Sequence, residues 1–308
     1  MKSAPKSDFI WSDGRLVKWE DATVHLLTHT LHYGLGAFEG IRFYKTKDGS
    51  SAIFRLQDHT DRLLNSAKIL GLTVPYDKDR INAAIIETVK ANSVEEGYIR
   101  PLLYIGDESR GLNCSSGSIH LAIALWPWGR YLGAEALEDG INVKTSSFTR
   151  HHPNIFMTKA KVTGGYVNSI LAKHEALQDG YDEALLLDPS GYVAEGSGEN
   201  IFIVKNSILK TPPITSVLDG ITRDTVITIA KDENLEVEVQ FFSRDEIYVA
   251  DEAFFVGTAA EVTPIKSLDN RMIGQIKEHP ITAKIQKLYF EIIRGEVKKY
   301  DHWLEYIR

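Results

Sequence analysis

The chain has 308 residues, 43% of them hydrophobic and 25% charged, with a formal net charge of −7. This composition is that of a globular protein rather than a disordered chain, and its acidic balance gives no reason to expect a nucleic-acid partner. The single cysteine, Cys114, excludes an internal disulfide and a thiolate metal cluster, which fits a reducing compartment. The sequence shows no signal-like or membrane-spanning apolar run, so we predict a cytoplasmic protein.

The first half of the chain alternates strand and helix patterns. An Asp-Gly pair between two apolar runs indicates a tight hairpin turn. Apolar residues spaced three and four apart indicate helices with one buried face. In chain order, these patterns predict a hairpin at 9–17, a strand at 39–44, helices at 58–70 and 79–92, and strands at 98–104 and 119–125.

An aromatic segment with Pro and Gly follows and indicates an ordered link between two domains. We predict a smaller α+β domain over 1–125, a linker over 126–136 and a larger domain over 137–308. The fold class is α+β or mixed α/β, because helices and strands both recur throughout the chain. The second half is predicted to contain helices at 167–177, 222–231 and 281–294, and strands at 183–187, 200–204 and 254–257.

Two familiar motifs are rejected. The run 34–40 has the spacing GxGxxxG and precedes a strand pattern, whereas a dinucleotide loop precedes a helix. His29 and His32 could share a helix face, but a histidine pair without further ligands is usually structural, so we predict no metal site.

Lys161 is a candidate nucleophilic amine. Such a lysine must be largely neutral, which favours a partly buried position among small residues. Val162 follows it directly, and Gly164 and Gly165 permit close approach of another backbone segment. A surface lysine in a loop is the competing interpretation.

Glu195 and Glu199 are candidate acids in a glycine-rich run before an apolar strand. An acid beside the ring nitrogen of pyridoxal phosphate stabilises its protonated form, and either carboxylate could serve. A solvated turn is the alternative.

Two further segments could hold an anion. The N-terminus of the helix beginning near Thr222 offers free N–H groups, although Thr222 could simply cap that helix. The small residues of 257–261 leave backbone amides and the Thr258 hydroxyl accessible.

Arginines within apolar runs suggest carboxylate binding in the first half. Strand alternation places Tyr98 and Arg100 on the same face, where a planar guanidinium suits a carboxylate. An exposed edge pair is the alternative. Arg42 and Arg55 also lie in apolar runs and need partners if they are buried.

These residues together resemble the branched-chain amino acid aminotransferases, class IV enzymes that depend on pyridoxal phosphate. The likeness covers nearly the whole chain, in the expected order. One departure is Gly164-Gly165-Tyr166, where many relatives have Gly-Asn-Tyr. The matching segments are 29–34, 38–42, 98–101, 195–200, 220–223 and 257–264.

The resemblance implies fold type IV: a small α+β domain, a linker and a larger domain built around a pseudo-barrel. It implies that Lys161, rather than Lys159, forms an aldimine with the cofactor, because Lys161 keeps the five-residue spacing to Tyr166. The cofactor-binding residues implied are Arg55, Lys161, Tyr166, Glu195, Ile221, Thr222 and Thr258. The substrate-binding residues implied are Tyr33, Phe38, Arg42, Tyr98, Arg100, Trp128, Tyr131, Thr258 and Ala259.

The implied activity is ping-pong transamination of leucine, isoleucine and valine with 2-oxoglutarate, in biosynthesis or degradation, by a homodimer or a larger assembly such as a hexamer. D-amino acid aminotransferase and aminodeoxychorismate lyase are rivals within the class, and a catalytically dead binding protein is a rival outside it. The Tyr98–Arg100 pair and the segment 38–42 favour the branched-chain interpretation.

Overall fold

The computed structural model describes residues 6–129, 134–274 and 279–307. Its strands are β1 (Phe9–Ser12), β2 (Arg15–Lys18), β3 (Gly36–Phe38), β4 (Ile41–Lys45), β5 (Ser51–Phe54), β6 (Gly97–Ile105), β7 (Ile119–Trp126), β8 (Ile141–Thr145), β9 (Glu183–Leu187), β10 (Val193–Gly196), β11 (Asn200–Lys205), β12 (Ile208–Thr211), β13 (Val237–Val239), β14 (Glu252–Gly257), β15 (Glu261–Leu268), β16 (Arg271–Met272) and β17 (Leu304–Ile307). Its α-helices are α1 (His29–Tyr33), α2 (Leu56–Ile69), α3 (Lys78–Ala91), α4 (Ala134–Asp139), α5 (Tyr166–Gln178), α6 (Ile221–Asp232), α7 (Arg244–Tyr248) and α8 (Pro280–Ile293).

The chain divides into two compact units that are not continuous in sequence. The first comprises Met1–Gly129, Ala160–Gly165 and Ile292–Arg308, and the second comprises Arg130–Lys159 and Tyr166–Glu291. The linker predicted at 126–136 is divided between the two units, and the prediction also assigned two segments of the first unit, 160–165 and 292–308, to the larger domain. Backbone pairing accounts for both: Val162 bridges to Ala37, and β17 pairs antiparallel with β5.

The first unit is built on a largely antiparallel sheet with helices α2 and α3 packed on it. The strand order is β17-β5-β4-β6-β7-β1-β2, and β3 also pairs with β6. Ile99 and Leu103 of β6 are fully buried and pack with Leu63 of α2 and Ile85 of α3. Because β6 is an interior strand, the side chains on its other face are held at defined positions.

The second unit contains a sheet that closes on itself. The described strands follow the order β10-β9-β8-β15-β14-β11-β12-β13, and β10 pairs with both β9 and β11. The six strands from β10 to β11 therefore form a ring, as the predicted pseudo-barrel requires. Its core includes Val143, Leu185, Ile203 and Phe255, all at most 1% exposed.

The predicted class, mixed α and β, is confirmed, and the predicted helices agree with the observed ones within two residues at each end. Three differences have local causes. The strand predicted at 39–44 begins at Ile41, because Glu39 leaves the strand pattern and directs its carboxylate into the interior. Glu195 lies in β10 rather than in a turn. Strand β15 went unpredicted because Pro264 argues against an interior strand.

Candidate active site

The backbone of Lys161 is fixed within the first unit. Its N–H donates to the Ser66 Oγ at 3.0 Å, and its carbonyl oxygen accepts from the Phe38 N–H at 3.1 Å. The next residue, Val162, forms a β-bridge with Ala37. Lys161 is half-buried and lies outside the named helices and strands.

The glycines near Lys161 permit the close approach that the sequence indicated. The Gly164 N–H donates to the Gly34 carbonyl at 2.9 Å. Gly34 has a φ of +70°, and a Cβ there would lie 2.9 Å from the Gly164 Cα. Because a side chain at Gly34 would be both strained and too close, glycine is required for this pairing.

The Lys161 amine and the Arg100 guanidinium both lie over one aromatic ring in the first unit, that of Phe38. The Lys161 Nζ is 5.1 Å from the centroid of the Phe38 ring, and the Arg100 Cζ is 4.7 Å from it. Arg100 also lies over the rings of Tyr98 and Trp126, and its Nη2 donates to the Tyr98 hydroxyl at 3.4 Å. The predicted pairing of Tyr98 and Arg100 on one face is confirmed, and β6 is not an edge strand.

Arg100 has aromatic rather than acidic neighbours. Among residues 6–129, 134–274 and 279–307, no carboxylate forms an ion pair with its guanidinium, and its Nε is buried without a hydrogen-bond partner. A half-buried guanidinium in this state is suited to receive a carboxylate from outside the chain.

The remaining predicted substrate residues of the first unit occupy different places. Trp128 packs edge-on against Tyr98, with ring centroids 4.5 Å apart. Arg42 is buried in β4, and its Nη1 donates to the Gly129 carbonyl at 3.1 Å. Tyr33 ends α1, is 50% exposed and packs on the His29 ring, apart from the Phe38–Arg100 contacts. Tyr131 lies outside the described residues.

Arg55 combines burial with an unusual backbone. It precedes α2 with a φ of +55°, and its guanidinium packs over the Trp303 ring at 4.9 Å. Its Nε donates to the Asp58 Oδ2 at 2.6 Å. The sequence indicated that Arg55 needs a partner if it is buried, and Asp58 and Trp303 supply part of this need.

A buried ionic cluster next to Phe38 was missed by the sequence reasoning. The Glu39 carboxylate is fully buried and accepts from the Arg62 Nε at 2.7 Å and from the His59 Nδ1 at 2.7 Å. Burial opposes ionisation of Glu39, but the charge of Arg62 and the hydrogen bond from His59 outweigh it and lower the pKa of Glu39. Burial lowers the pKa of His59, so its imidazole is neutral near pH 7 and donates one N–H. The sequence feature that could have indicated this cluster is the three-residue spacing of His59 and Arg62, which places both on the buried face of α2.

In the second unit, Glu195 is a buried carboxylate with a cationic partner. Its Oε1 lies 2.7 Å from the Arg150 Nε, and its Oε2 accepts from the Asn200 Nδ2 at 3.4 Å and from the Leu218 N–H at 3.3 Å. Arg150 also donates from Nη1 to the Ser169 Oγ at 3.1 Å, in α5. No motif in the sequence singled out Arg150.

Glu199, the alternative acid, has a different environment. It is 4% exposed and accepts from the Gly198 N–H at 2.9 Å. Burial, followed by the negative charge of Glu183, raises the pKa of Glu199 to about 8. Glu199 is therefore largely protonated at neutral pH, whereas Glu195 is paired with a guanidinium. This contrast favours Glu195 as the charged acid of the pair.

The helix α6 begins with Ile221 and Thr222, both buried, after Gly220. Gly220 has no side chain to cap the helix, so the first-turn amides are not satisfied by the N-cap residue. A Cβ at Gly220 would collide with the Asn200 Oδ1. This end of α6 is consistent with binding an anion of the size and charge of a phosphate group.

The other residues predicted in the second unit lie at the ends of elements. Thr258 and Ala259 are half-buried in the turn between β14 and β15. Tyr166 is the first residue of α5 and is half-buried. Turn and helix-end positions leave backbone amides or side chains available to a ligand.

Neither a metal cluster nor a membrane-spanning helix occurs in the described part of the chain. Within 6–129, 134–274 and 279–307, no group of three or more His, Cys, Asp or Glu side chains is arranged to hold a metal ion. No described helix is both long and apolar enough to cross a membrane.

Comparison with known proteins relates the whole chain to one group. The model of the family "Amino-transferase class IV" matches residues 36–268. A branched-chain-amino-acid aminotransferase of Pseudomonas aeruginosa is 53% identical over 303 residues, covering 98% of each chain. A crystal structure of the T.th. branched-chain amino acid aminotransferase with pyridoxamine 5'-phosphate has a TM-score of 0.96 and 45% identity, covering 99% of this chain and 100% of that one. The same enzyme complexed with N-(5'-phosphopyridoxyl)-L-glutamate has a TM-score of 0.95 and 43% identity, with the same coverage.

Proposed function

The chain belongs to the class IV amino-transferases, and among them to the branched-chain-amino-acid aminotransferases; on this premise we propose that it exchanges amino groups between L-leucine, L-isoleucine or L-valine and 2-oxoglutarate. Its fold is the fold type IV architecture expected from the sequence. The products are the branched-chain 2-oxo acids and L-glutamate. The enzyme serves biosynthesis when it transfers the amino group to the branched-chain 2-oxo acids. It serves degradation when it removes the amino group from the branched-chain amino acids.

One observation carries the proposal: an amine and a guanidinium both lie over the same aromatic ring. The Lys161 Nζ and the Arg100 Cζ lie 5.1 and 4.7 Å from the Phe38 ring centroid. An amino acid presents an amine, a carboxylate and a side chain, and this set of groups offers a nucleophile, a cation and an apolar surface. The combination suits amino acids with apolar side chains and also suits glutamate.

The chain's residues fit pyridoxal phosphate. The uncapped first turn of α6 with Thr222 suits the phosphate, and so do Arg55, Ile221 and Thr258. Glu195, buried and charge-paired, suits a protonated ring nitrogen, and Tyr166 suits the ring hydroxyl. Lys161 supplies the amine. When bound, the cofactor withdraws electrons from the substrate Cα–H bond.

Lys161 is the group that moves the proton in this proposal. With pyridoxal phosphate bound, the Lys161 Nζ would accept the proton from the substrate Cα as an ammonium group and then give it back, which would leave Lys161 neutral for the next half-reaction. The same amine then works in the reverse sense on the 2-oxo acid. This division into two half-reactions gives ping-pong kinetics.

The aromatic residues define which side chains are accepted. Phe38, Tyr98 and Trp128 form an apolar wall suited to Val, Leu and Ile, and the same pocket is proposed to include Tyr33, Arg42 and Tyr131. For glutamate, Arg100 binds the distal carboxylate. The amides of Thr258 and Ala259 bind the α-carboxylate common to all substrates.

Assembly and location form part of the same proposal. A homodimer is the minimum assembly, and a hexamer is the larger alternative. The single cysteine, Cys114, is compatible with the reducing cytoplasm.

The test is the absorption spectrum of the purified protein with pyridoxal phosphate, before and after addition of L-leucine or D-alanine. We expect a yellow band that L-leucine converts to the amine form and D-alanine does not. Conversion by D-alanine alone would instead indicate a D-amino acid aminotransferase. Absence of any band would contradict the role of Lys161.

A further inference from the structure

The main chain of Lys161 is held by one buried hydroxyl group. Ser66, in α2, is fully buried, and its Oγ accepts the Lys161 N–H at 3.0 Å. The same hydroxyl donates to the Arg62 carbonyl at 2.8 Å, so its orientation is set by its own helix. The Phe38 N–H donates to the Lys161 carbonyl at 3.1 Å. Both polar main-chain groups of Lys161 are thus satisfied by neighbouring elements of the first unit.

A single carboxylate connects these two attachments. Arg62 lies one turn before Ser66 and donates to the Glu39 carboxylate from Nε at 2.7 Å and from Nη2 at 2.9 Å. Glu39 directly follows Phe38, and its own N–H donates to the Pro101 carbonyl at 2.9 Å. The Arg62–Glu39 ion pair therefore connects the helix turn that carries Ser66 to the strand end that carries Phe38. Bidentate, charge-assisted contacts of this kind have little freedom to shift.

We propose that Ser66 is a positioning residue, which fixes the Lys161 backbone so that Nζ is held where it can exchange a proton with the substrate Cα. This inference rests on the proposed function, in which Lys161 performs that transfer. Ser66 itself need not touch the substrate. A misplacement of about 1 Å in a reacting group can lower a rate on the order of a hundredfold.

Thr88 provides a matched control in the neighbouring helix α3. It is also fully buried, and its Oγ1 donates to the Ala84 carbonyl at 2.6 Å, the same four-residue bond that Ser66 makes to Arg62. Within the described part of the chain, the Thr88 hydroxyl makes no hydrogen bond to the 160–165 segment. Thr88→Val and Ser66→Ala therefore remove the same kind of helix bond, but only Ser66→Ala removes the acceptor of the Lys161 N–H.

The first measurement is amide hydrogen exchange of the purified protein with its cofactor. Ser66→Ala should speed exchange at the Lys161 amide at least about tenfold, because that N–H loses its acceptor. Ser66→Thr retains the oxygen and should restore slow exchange, and Thr88→Val should leave this amide unchanged. Thermal unfolding verifies that each variant is folded. If the Ser66→Thr protein does not fold, Ser66→Cys replaces it. Because sulfur is a weak acceptor, the exchange rate of the Lys161 amide in Ser66→Cys should lie between those of the wild type and Ser66→Ala.

The second measurement is the half-reaction with L-leucine carrying hydrogen or deuterium at Cα. We expect Ser66→Ala to slow the half-reaction about tenfold and to raise its deuterium isotope effect, with KM changed less than about twofold, because only proton transfer is impaired. Ser66→Thr should restore both values, and Thr88→Val should match the wild type. A Ser66→Ala protein with wild-type rate and isotope effect would overturn the positioning role. A wild-type protein that does not react with L-leucine would overturn the proposed function itself.

Discussion

Several buried charged groups in this protein are paired with an opposite charge, whereas the half-buried Arg100 is not paired with a carboxylate in the described part of the chain. Glu39 is paired with Arg62, Glu195 with Arg150 and Glu183 with Lys173. Arg100 is surrounded by aromatic faces instead. Because partial burial of an ion without a counterion is costly, we propose that a ligand carboxylate bound at Arg100 recovers part of this free energy.

Arg100→Gln tests this account at a single side chain. Glutamate should lose at least about 2 kcal/mol of transition-state stabilisation, roughly thirtyfold in kcat/KM, since its distal carboxylate loses a buried partner. Leucine, which has no such group, should change much less. Steady-state kinetics with both substrates provides the measurement, and equal losses would contradict the assignment of Arg100.

Lys161→Ala tests the proposed amine. Transamination should fall on the order of a thousandfold or more, because the variant loses the amine that is proposed to move the proton. The rate of the leucine half-reaction and the loss of the yellow band give two independent readouts. Lys159→Ala is the matched comparison, since Lys159 lies two residues earlier and should be dispensable for the band. Ordinary activity in the Lys161 variant would refute the mechanism.

At the scale of elements, the start of α6, where we propose that phosphate binds, is connected to the acid Glu195. Gly220 precedes the helix, and the Asn200 side chain fills the space beside it, with its Nδ2 bonded to Glu195 and to the Leu218 carbonyl. The helix terminus and the β10 carboxylate are therefore mechanically coupled through one amide side chain. A change at the terminus is expected to reach the carboxylate.

Gly220→Ala tests this coupling. The added methyl group would displace Asn200, so we expect pyridoxal phosphate to bind about tenfold more weakly, a loss of about 1.4 kcal/mol. Fluorescence titration of the cofactor-free protein measures the affinity. Gly191→Ala is the comparison, because no atom lies within 4 Å of the Cβ position there, although its positive φ adds backbone strain. Equal weakening in both variants would point to general strain rather than to Asn200.

At the scale of the whole molecule, buried ionisable groups set the response to pH. The pKa of Glu199 is raised by burial and by Glu183 to about 8, whereas an unfolded glutamate titrates near 4.5. Between these values the folded state retains a proton that the unfolded state has lost. The contribution of Glu199 to the free energy of unfolding is therefore complete below about pH 4.5 and is lost as the pH rises through about 8.

Glu199→Gln should remove this dependence. The variant keeps a neutral side chain of the same size, so its free energy of unfolding should exceed that of the wild type increasingly from about pH 5 to about pH 8. Denaturant titrations across this range provide the values, with Glu96→Gln at an exposed position as the control. The difference between variant and wild type removes opposing contributions such as that of His151, whose pKa is lowered to about 4 by burial. A constant difference across the range would refute the account.

The sequence by itself determined the local elements and the kind of chemistry. Hydrophobic spacing located α2, α3, α5, α6 and α8, because an amphipathic helix carries its own periodic signal. Alternation in β6 placed Tyr98 and Arg100 together, because neighbouring strand residues face opposite ways. The segments 29–34, 38–42, 98–101, 195–200, 220–223 and 257–264 indicated the family, because they occur together and in the expected order along the chain.

Only the tertiary structure decided the contacts between residues distant in sequence. The return of 160–165 to the first unit, the Ser66–Lys161 hydrogen bond and the Arg150–Glu195 pair join segments separated by 45 to 129 positions. The distinction between Glu195 and Glu199 likewise depends on Arg150 and Glu183, which belong to other segments of the chain. Such contacts leave no periodic trace in the sequence, because pairing between remote segments is set by packing of the whole unit rather than by local propensity.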